Sequence, residues 1–470
     1  MESGAMDAEP VAVAEVVGRH RRDWFFGHPG GLATLSFTEA WVGFSYYGML
    51  SILTLYMTRF ILLPEHVGHV IFFPAFHSFL DWLYGHRGTA TAIATAITGL
   101  YSALAYGMPL IGGLIADYWL GRTRTIILGA VLMTTGHFLM AFDASFLIAL
   151  ALIIAGMGCG GTMKAQVGGL YAIDDTRRAD AFQLYTIGLN IAVIIAPIVC
   201  GFLGEDYRWS WGFGAAGVGM CIGLAVYLAG RGGLPPEPPR KRRGGPAVHD
   251  RVTATEWKRV AVLVALLPVL AVAALANQEI FNGYMIWADK YYDLKFFGIA
   301  IPVATMMSFD AVISTITLIG SMAFWRWYAA RRRDPDEIVK ITFGVCVSAL
   351  GPLVLALASW QAAVTGHKVG LGYALGFHTL NDIGFSNTYA IGMALYSRAA
   401  PKAMGATVVN GYVLHISIAN ILVGYLGGFL GQMPEVQFWL LHSALIAAAA
   451  IVLFVFARVF GTLLAPRAEV

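Results

Sequence analysis

The sequence alternates between apolar stretches and short basic connections, and that alternation leaves few folds open to it. A helix needs about 20 apolar residues to cross the hydrocarbon core of a bilayer. No water is available there for stray backbone groups, so each crossing must satisfy its own hydrogen bonds. Such stretches are read at 35–60, 89–119, 124–143, 145–172, 180–203, 209–230, 259–288, 299–326, 338–360, 369–397, 403–430 and 435–460. Composition agrees: 58% of the 470 residues are hydrophobic and 13% are charged, against about 25% charged in soluble domains. The fold class expected is all-α, a polytopic membrane protein of about twelve transmembrane helices. The net charge of +3 is small and its basic residues gather at span ends, which argues against a nucleic-acid partner. Cys159, Cys200, Cys221 and Cys346 all lie in apolar segments without C-x-x-C spacing, so they read as small buried apolar residues.

The basic residues fall on alternate connections. They are Arg19, Arg21 and Arg22; Arg122 and Arg124; Arg177 and Arg178; Arg240, Lys241, Arg242 and Arg243; Arg331, Arg332 and Arg333; and Arg398 with Lys402. By the positive-inside rule both termini face the cytoplasm of a multi-pass protein in the cell (inner) membrane. The N-terminus has no apolar core before a small-residue cleavage site, so no removable signal peptide is expected. The Pro/Gly/Arg-rich stretch at 231–258 divides the spans six and six. The expected domains are a cytoplasmic segment 1–34, a first bundle 35–230, the linker 231–258, a second bundle 259–460 and a tail 461–470. Residues 62–88 are too interrupted for a span and read as an outside-facing insertion. The insertion's His66, His69, His77 and His86 are irregularly spaced, and no metal or other cofactor is expected.

Inside the apolar stretches stand Glu39, Lys164, Glu279, Asp310 and Asp382. A charge at mid-bilayer costs roughly 2.5–3.5 kcal/mol on insertion scales, so each is a functional candidate. Opposite signs make pairing available, and Glu39 with Lys164 is the natural pair. A carboxyl that alternates between a dry and a paired state changes its proton affinity. Glu39, Lys164 and Glu279 are therefore proton-coupling candidates. His137, His378, His415 and His442 also lie in spans and read as hydrogen-bonded structural residues. No convergent catalytic set lies near a membrane face, so no enzyme is expected.

Residues 112–125 (GGLIADYWLGRTRT) join the second and third spans. Glycines there permit close helix approach, and Asp117 faces Arg122 and Arg124 across a tight turn. This resembles the loop motif of the major facilitator superfamily, with Gly113, Asp117, Gly121, Arg122 and Arg124 as a cytoplasmic gate motif. More specific segments are similar to the proton-dependent oligopeptide transporters. They are EAWVGFSYYGM at 39–49, GTMKAQVGGLY at 161–171, LYTIGLNIAVIIAP at 184–197, WSWGFG at 209–214 and HTLNDIGFSN at 378–387. The resemblance implies two six-helix bundles working by alternating access. It also implies import of di- or tripeptides or peptide-like compounds, driven by protons without a cofactor, and a monomer as the working unit. By alignment with the family, Tyr46, Tyr47, Lys164, Asn190, Asp310, Asp382, Ser386 and Tyr412 are substrate-binding candidates.

The departures are as informative. The family carries Glu, Glu and Arg on one face of the first helix, where this chain has Glu39, Val42 and Gly43. A further arginine expected after Tyr-Tyr-Gly is replaced by Leu50. Such arginines are thought to hold a substrate carboxylate, whereas Asp310 and Asp382 enrich the pocket in acid. An alternative therefore stays open, the same fold carrying a different amine-bearing metabolite, such as a modified peptide or siderophore-like compound.

Overall fold

The computed structural model describes residues 23–172, 175, 177–237, 252–401 and 404–464. Arg19, Arg21, Arg22, the linker run Arg240–Arg243, Lys402 and the tail from 465 lie outside the described residues, so expectations resting on them carry no structural account here. Among the described residues twelve long helices form. They are α1 (Gly30–Tyr56, continued through Met57–Ile61), α2 (Ala90–Ile115, continued through Ala116–Leu120), α3 (Arg122–Leu139), α4 (Phe146–Met157 and Cys159–Gly168), α5 (Arg177–Gly201, continued through Phe202–Tyr207) and α6 (Trp209–Gly230). After the linker come α7 (Ala254–Ala273, Leu275–Glu279 and Gly283–Tyr291), α8 (Thr305–Ala329), α9 (Glu337–Ser348 and Gly351–Thr365), α10 (Gly372–Ala399), α11 (Gly405–Tyr412 and Leu414–Leu426) and α12 (Glu435–Leu464). A small hairpin, β1 (Lys295–Phe296) against β2 (Ile299–Ala300), tops the connection from α7 to α8.

Eight of these helices are long and apolar enough to cross a membrane on length and composition. The other four, α1, α3, α7 and α10, fall short for visible reasons. In α1 the buried face carries Thr38, Glu39, Ser45, Ser51 and Thr54, and in α10 it carries His378, Asn381, Asp382 and Asn387. The arginines Arg122 and Arg124 open α3, and two interruptions divide α7. Helices that line an interior can be polar where a lipid-facing helix cannot. Cys159 and Cys200 are buried as expected, but Cys221 and Cys346 are exposed on their helix surfaces. On membrane-spanning helices, such surfaces face lipid.

Helix α1 packs along α5 and α6, and α3 along α4 and α6. In the second half α9 packs along α10 and α12, and α8 along α10. The two halves meet mainly through α2 with α11 and α5 with α8. The expected close approach in the loop motif is made by one glycine and not its neighbour. A Cβ on Gly112 would stand 1.9 Å from the Gly158 carbonyl oxygen of α4, whereas one on Gly113 would meet nothing within 4 Å. Gly121 turns the chain into α3 with φ of 84°, a left-handed conformation that a side chain resists.

Residues 62–88 hold two short helices, Pro64–Val67 and Phe73–Tyr84, at the end opposite the basic connections. His66 pairs with Asp143 at 2.7 Å, and the Ile71 amide donates to the Ala144 carbonyl, which seats the insertion on the turn before α4. The insertion leaves Ile71, Phe72, Phe79 and Trp82 exposed. Because α2 and α4 touch backbone to backbone, Gly112→Leu must push them apart. It is expected to cost about 1–3 kcal/mol as an overpacking substitution. A lowered melting temperature of the purified protein in detergent, with Gly113→Leu close to wild type, checks this.

Candidate functional site

Glu39 lies on the inner face of α1, 7% exposed, with one carboxylate oxygen buried and without a hydrogen-bond partner. Lys164 on α4 acts on it electrostatically, as does Tyr185 on α5. The expected ion pair is not formed, and Lys164 is itself exposed. The two act on each other only at longer range, which corrects the expectation of a direct contact.

The aromatic lining is richer than the family alignment implied. Tyr46 stacks on Tyr101 of α2 with ring centroids 6.1 Å apart, and Tyr47 lies 6.3 Å from Phe281 in the α7 interruption. Tyr106 of α2 and Tyr389 of α10 join Tyr47, so three helices bring tyrosines to one place between the halves. Asn190 on α5 is half-buried. Two candidates are otherwise disposed. The Tyr412 hydroxyl donates to the Thr388 carbonyl at 2.8 Å with the ring fully enclosed, and the Ser386 hydroxyl donates to Ile383 of its own helix. Both are spent on α10 and α11 packing. Sequence reasoning missed Tyr101, Tyr106 and Tyr389, for nothing in the spacing of a lone tyrosine distinguishes lining from core.

Gly43, where the family has arginine, has a local reason. A Cβ there would stand 2.5 Å from Leu189 Cδ1 of α5 and 3.5 Å from Ala192. Helix α1 has closed onto α5 at this point, and a long side chain has no room.

Helix α7 breaks after Glu279. Glu279 is 0% exposed, both its oxygens lack hydrogen bonds, and its nearest titratable partner is His442 Nε2 of α12 at 3.6 Å. The break is held against the first half: the Thr54 hydroxyl donates to the Phe281 carbonyl at 3.4 Å, and the Asn282 amide donates to the Thr95 carbonyl at 3.0 Å. Asn420 of α11 donates to Gln278 at 2.8 Å. Beyond it, Arg59 pairs with Asp289 and lies 3.6 Å from Glu205, whose oxygens accept the amides of Val303 and Ala304 at 3.1 and 2.8 Å. Arg87 donates to the Tyr425 carbonyl at 3.2 Å and to the Tyr84 carbonyl at 2.8 Å, which ties the insertion to α11. Asp81 accepts the Arg87 backbone amide and neighbours His77 and His86, and these contacts hold its carboxyl below the usual range. All these cross-connections lie at the end away from the basic loops, so the structure is closed there. Sequence reasoning missed them because each group sits in an ordinary connection and pairs over long separations.

In the second half, Asp310 of α8, His378 and Asp382 of α10 converge, with one side-chain oxygen or nitrogen of each within 4.8 Å of the others. His378 Nδ1 is 2.8 Å from Asp310 Oδ1, and Nε2 is 2.9 Å from the Tyr284 hydroxyl of α7. The Asn381 amide donates to Asp382 Oδ1 at 3.3 Å, and Asp382 Oδ2 is buried without a partner. His415 and His442 donate from Nδ1 to the backbone carbonyls of Tyr412 and Phe438, as structural histidines do. His137 is the exception, fully buried with neither ring nitrogen bonded.

In the gate motif Asp117 occupies a turn of π-helix and Arg124 is exposed. Arg122 donates to the Ala165 carbonyl of α4 at 3.3 Å. The start of α3 is capped from the linker: Glu237 accepts the backbone amides of Arg122 and Thr123 at 2.9 and 2.7 Å. Partial burial pushes the Glu237 carboxyl up, but its hydrogen bonds to Thr123 and Arg122 and the Arg122 charge outweigh that and hold it below the usual range.

Residues 42–388 match the model of the Major Facilitator Superfamily. The chain belongs to that superfamily. Relatives named as peptide transporters match the chain. It is 26% identical to the peptide transporter YePEPT of Yersinia enterocolitica, over 92% of this chain and 94% of that one. Over 44% of its length it is 37% identical to a di-/tripeptide transporter of Lactococcus lactis, covering 39% of that protein. Its fold matches the crystal structure of a peptide transporter, POT, in complex with sulfate, with a TM-score of 0.81 and 24% identity, covering 96% of this chain and 99% of that one.

Two outcomes follow. Arg59→Ala removes the cation that joins α1 to α7, so a cysteine placed at Thr54 should react faster than in the parent with an impermeant thiol reagent added from outside. Glu237→Ala should lower stability by about 1 kcal/mol, the usual worth of a helix cap. Because folding lowers the Glu237 pKa, that contribution is present above its ordinary value of 4.5 and lost as pH falls through the lowered one. Melting curves of both proteins should therefore converge in acid.

Proposed function

We propose that this protein is a proton-coupled symporter that imports di- and tripeptides by alternating access. The reading rests most directly on the interruption of α7, where the dry, cation-free Glu279 sits beside the junction of the two halves. Interrupted helices at the interface of two repeats are where transporters of this type bind their cargo and coupling ions. Protonation of Glu279 from one side and release to the other would couple the proton gradient to rocking of the halves. Glu39 and Lys164, which act on each other without direct contact, are the second element: a substrate carboxylate would meet Lys164, and its amine would be drawn toward the acid. Tyr47, Tyr106 and Tyr389 supply flat walls that tolerate varied side chains.

The relatives named as peptide transporters support the cargo. No cofactor is invoked beyond the proton gradient. The working unit is a monomer in the cell (inner) membrane, with its termini and the Gly113, Asp117, Gly121, Arg122 and Arg124 motif at the cytoplasmic face. The domains are the two bundles and the linker read from the sequence. In this arrangement the structure corresponds to the state closed to the outside.

Reconstituted vesicles test this reading. Dialanine should accumulate when the outside is acidified and should be displaced by other dipeptides and by tripeptides. Accumulation of larger amine-bearing compounds with no response to dipeptides would overturn the cargo. Glu39→Gln is expected to keep the fold and to lose most acid-driven accumulation, measured by the same assay.

A further inference from the structure

The α10 acid is not free to act as an anion at the cargo site. Asp382 is 0% exposed and Asp310 is 8% exposed, with their carboxyls and the His378 ring drawn into one cluster inside the second half. With Asp310 ionised its Oδ1 can only accept, which puts a His378 proton on Nδ1 and lets Nε2 accept from the Tyr284 hydroxyl. Both His378 ring nitrogens are then hydrogen-bonded. Asp382 Oδ1 takes one weak donor from Asn381, and Oδ2 takes none.

Among the described residues the surroundings supply no lysine or arginine. From α7 come Tyr284 and, beside it, Tyr292; from α8, Asp310 and the ring of Phe309; from α10, Phe377, His378 and Asn381. Ser348 of α9 donates to Asn381 at 3.4 Å. Among the described residues no lysine or arginine forms an ion pair with either acid, and Tyr284, Phe377 and Trp287 stack to close the cluster on one side. Two ionised carboxylates this close, away from water, cannot both persist. One proton resolves both anomalies: it removes one charge and turns the unpartnered Asp382 oxygen into a donor.

We infer that Asp310 and Asp382 share a proton, with His378 and Tyr284 fixing Asp310 as the ionised partner, so that the second half holds a proton site separate from Glu279. The α10 acid, which the family resemblance makes a substrate-binding candidate, is thereby stored as a neutral acid. It becomes available as an anion only when the proton leaves.

Infrared spectroscopy of the purified full-length protein without substrate tests this, so the result does not depend on the proposed cargo. Asp382→Asn should remove one carbonyl stretch of a protonated carboxylic acid at neutral pH. Asp310→Asn should retain that band at a shifted frequency, because Asp382 stays protonated but loses its acceptor. Both variants are isosteric, and if one fails to fold the other still reads the site. An Asp382→Asn spectrum identical to wild type, or an Asp310→Asn spectrum without any shift, overturns the inference. So does an equimolar tightly bound transition metal in the wild-type protein that either variant loses.

Discussion

A carboxylate inside a membrane bundle must find a cation, a set of donors or a proton, and in this protein the cation is missing. Glu39, Glu279, Asp310 and Asp382 are all buried, yet among the described residues none pairs with a lysine or arginine. Two have a histidine and two have none. The arginines that do form inter-half contacts, Arg59 and Arg87, work at the closed end and leave the central acids alone. Desolvation then falls on acids whose charge no lysine or arginine offsets by direct pairing. The arrangement of the rest follows from this constraint: an interrupted α7 that carries one acid to the junction, and a second half that folds two more around a histidine.

The closed end and the acids are mechanically joined. Thr54 of the first half holds the Phe281 carbonyl just beyond Glu279 and the Thr95 carbonyl takes the Asn282 side chain, while Asn420 of α11, in the same half as α7, holds Gln278 just before it. Any motion that parts the halves at this end must break the bonds to Thr54 and Thr95 and alter the surroundings of Glu279. A change in solvation is a change in proton affinity, and the geometry places both at one segment of nine or so residues between Ala274 and Asn282. Coupling of this kind needs no long relay of side chains.

Much of the fold was legible because bilayer crossing imposes length and apolarity on each helix, and twelve stretches met both demands closely enough to read. The interior helices were the weakest as spans and the most informative as sites, since polar residues on α1, α7 and α10 lower hydropathy where they line the interior. The stranded charges pointed to Glu39, Glu279, Asp310 and Asp382 as unusual. Their partners could not be read in the same way. The sequence makes Glu39 and Lys164 look complementary, but whether two side chains touch depends on how far two helices stand apart. Tyr412 shows the same limit, for its alignment with lining residues carries no information about the Thr388 carbonyl that takes its hydroxyl. Gly43 was visible as a lost arginine, and only packing against Leu189 explains why an arginine no longer fits.

The claim that a cation-free acid at the α7 break carries the coupled proton is tested most directly by separating driven accumulation from passive exchange. Glu279→Gln keeps the size of the side chain and removes the titration. In vesicles loaded with unlabelled dipeptide, the variant should still exchange labelled dipeptide, while accumulation against a gradient under acid outside is lost. Accumulation at the wild-type level with exchange intact would contradict the account.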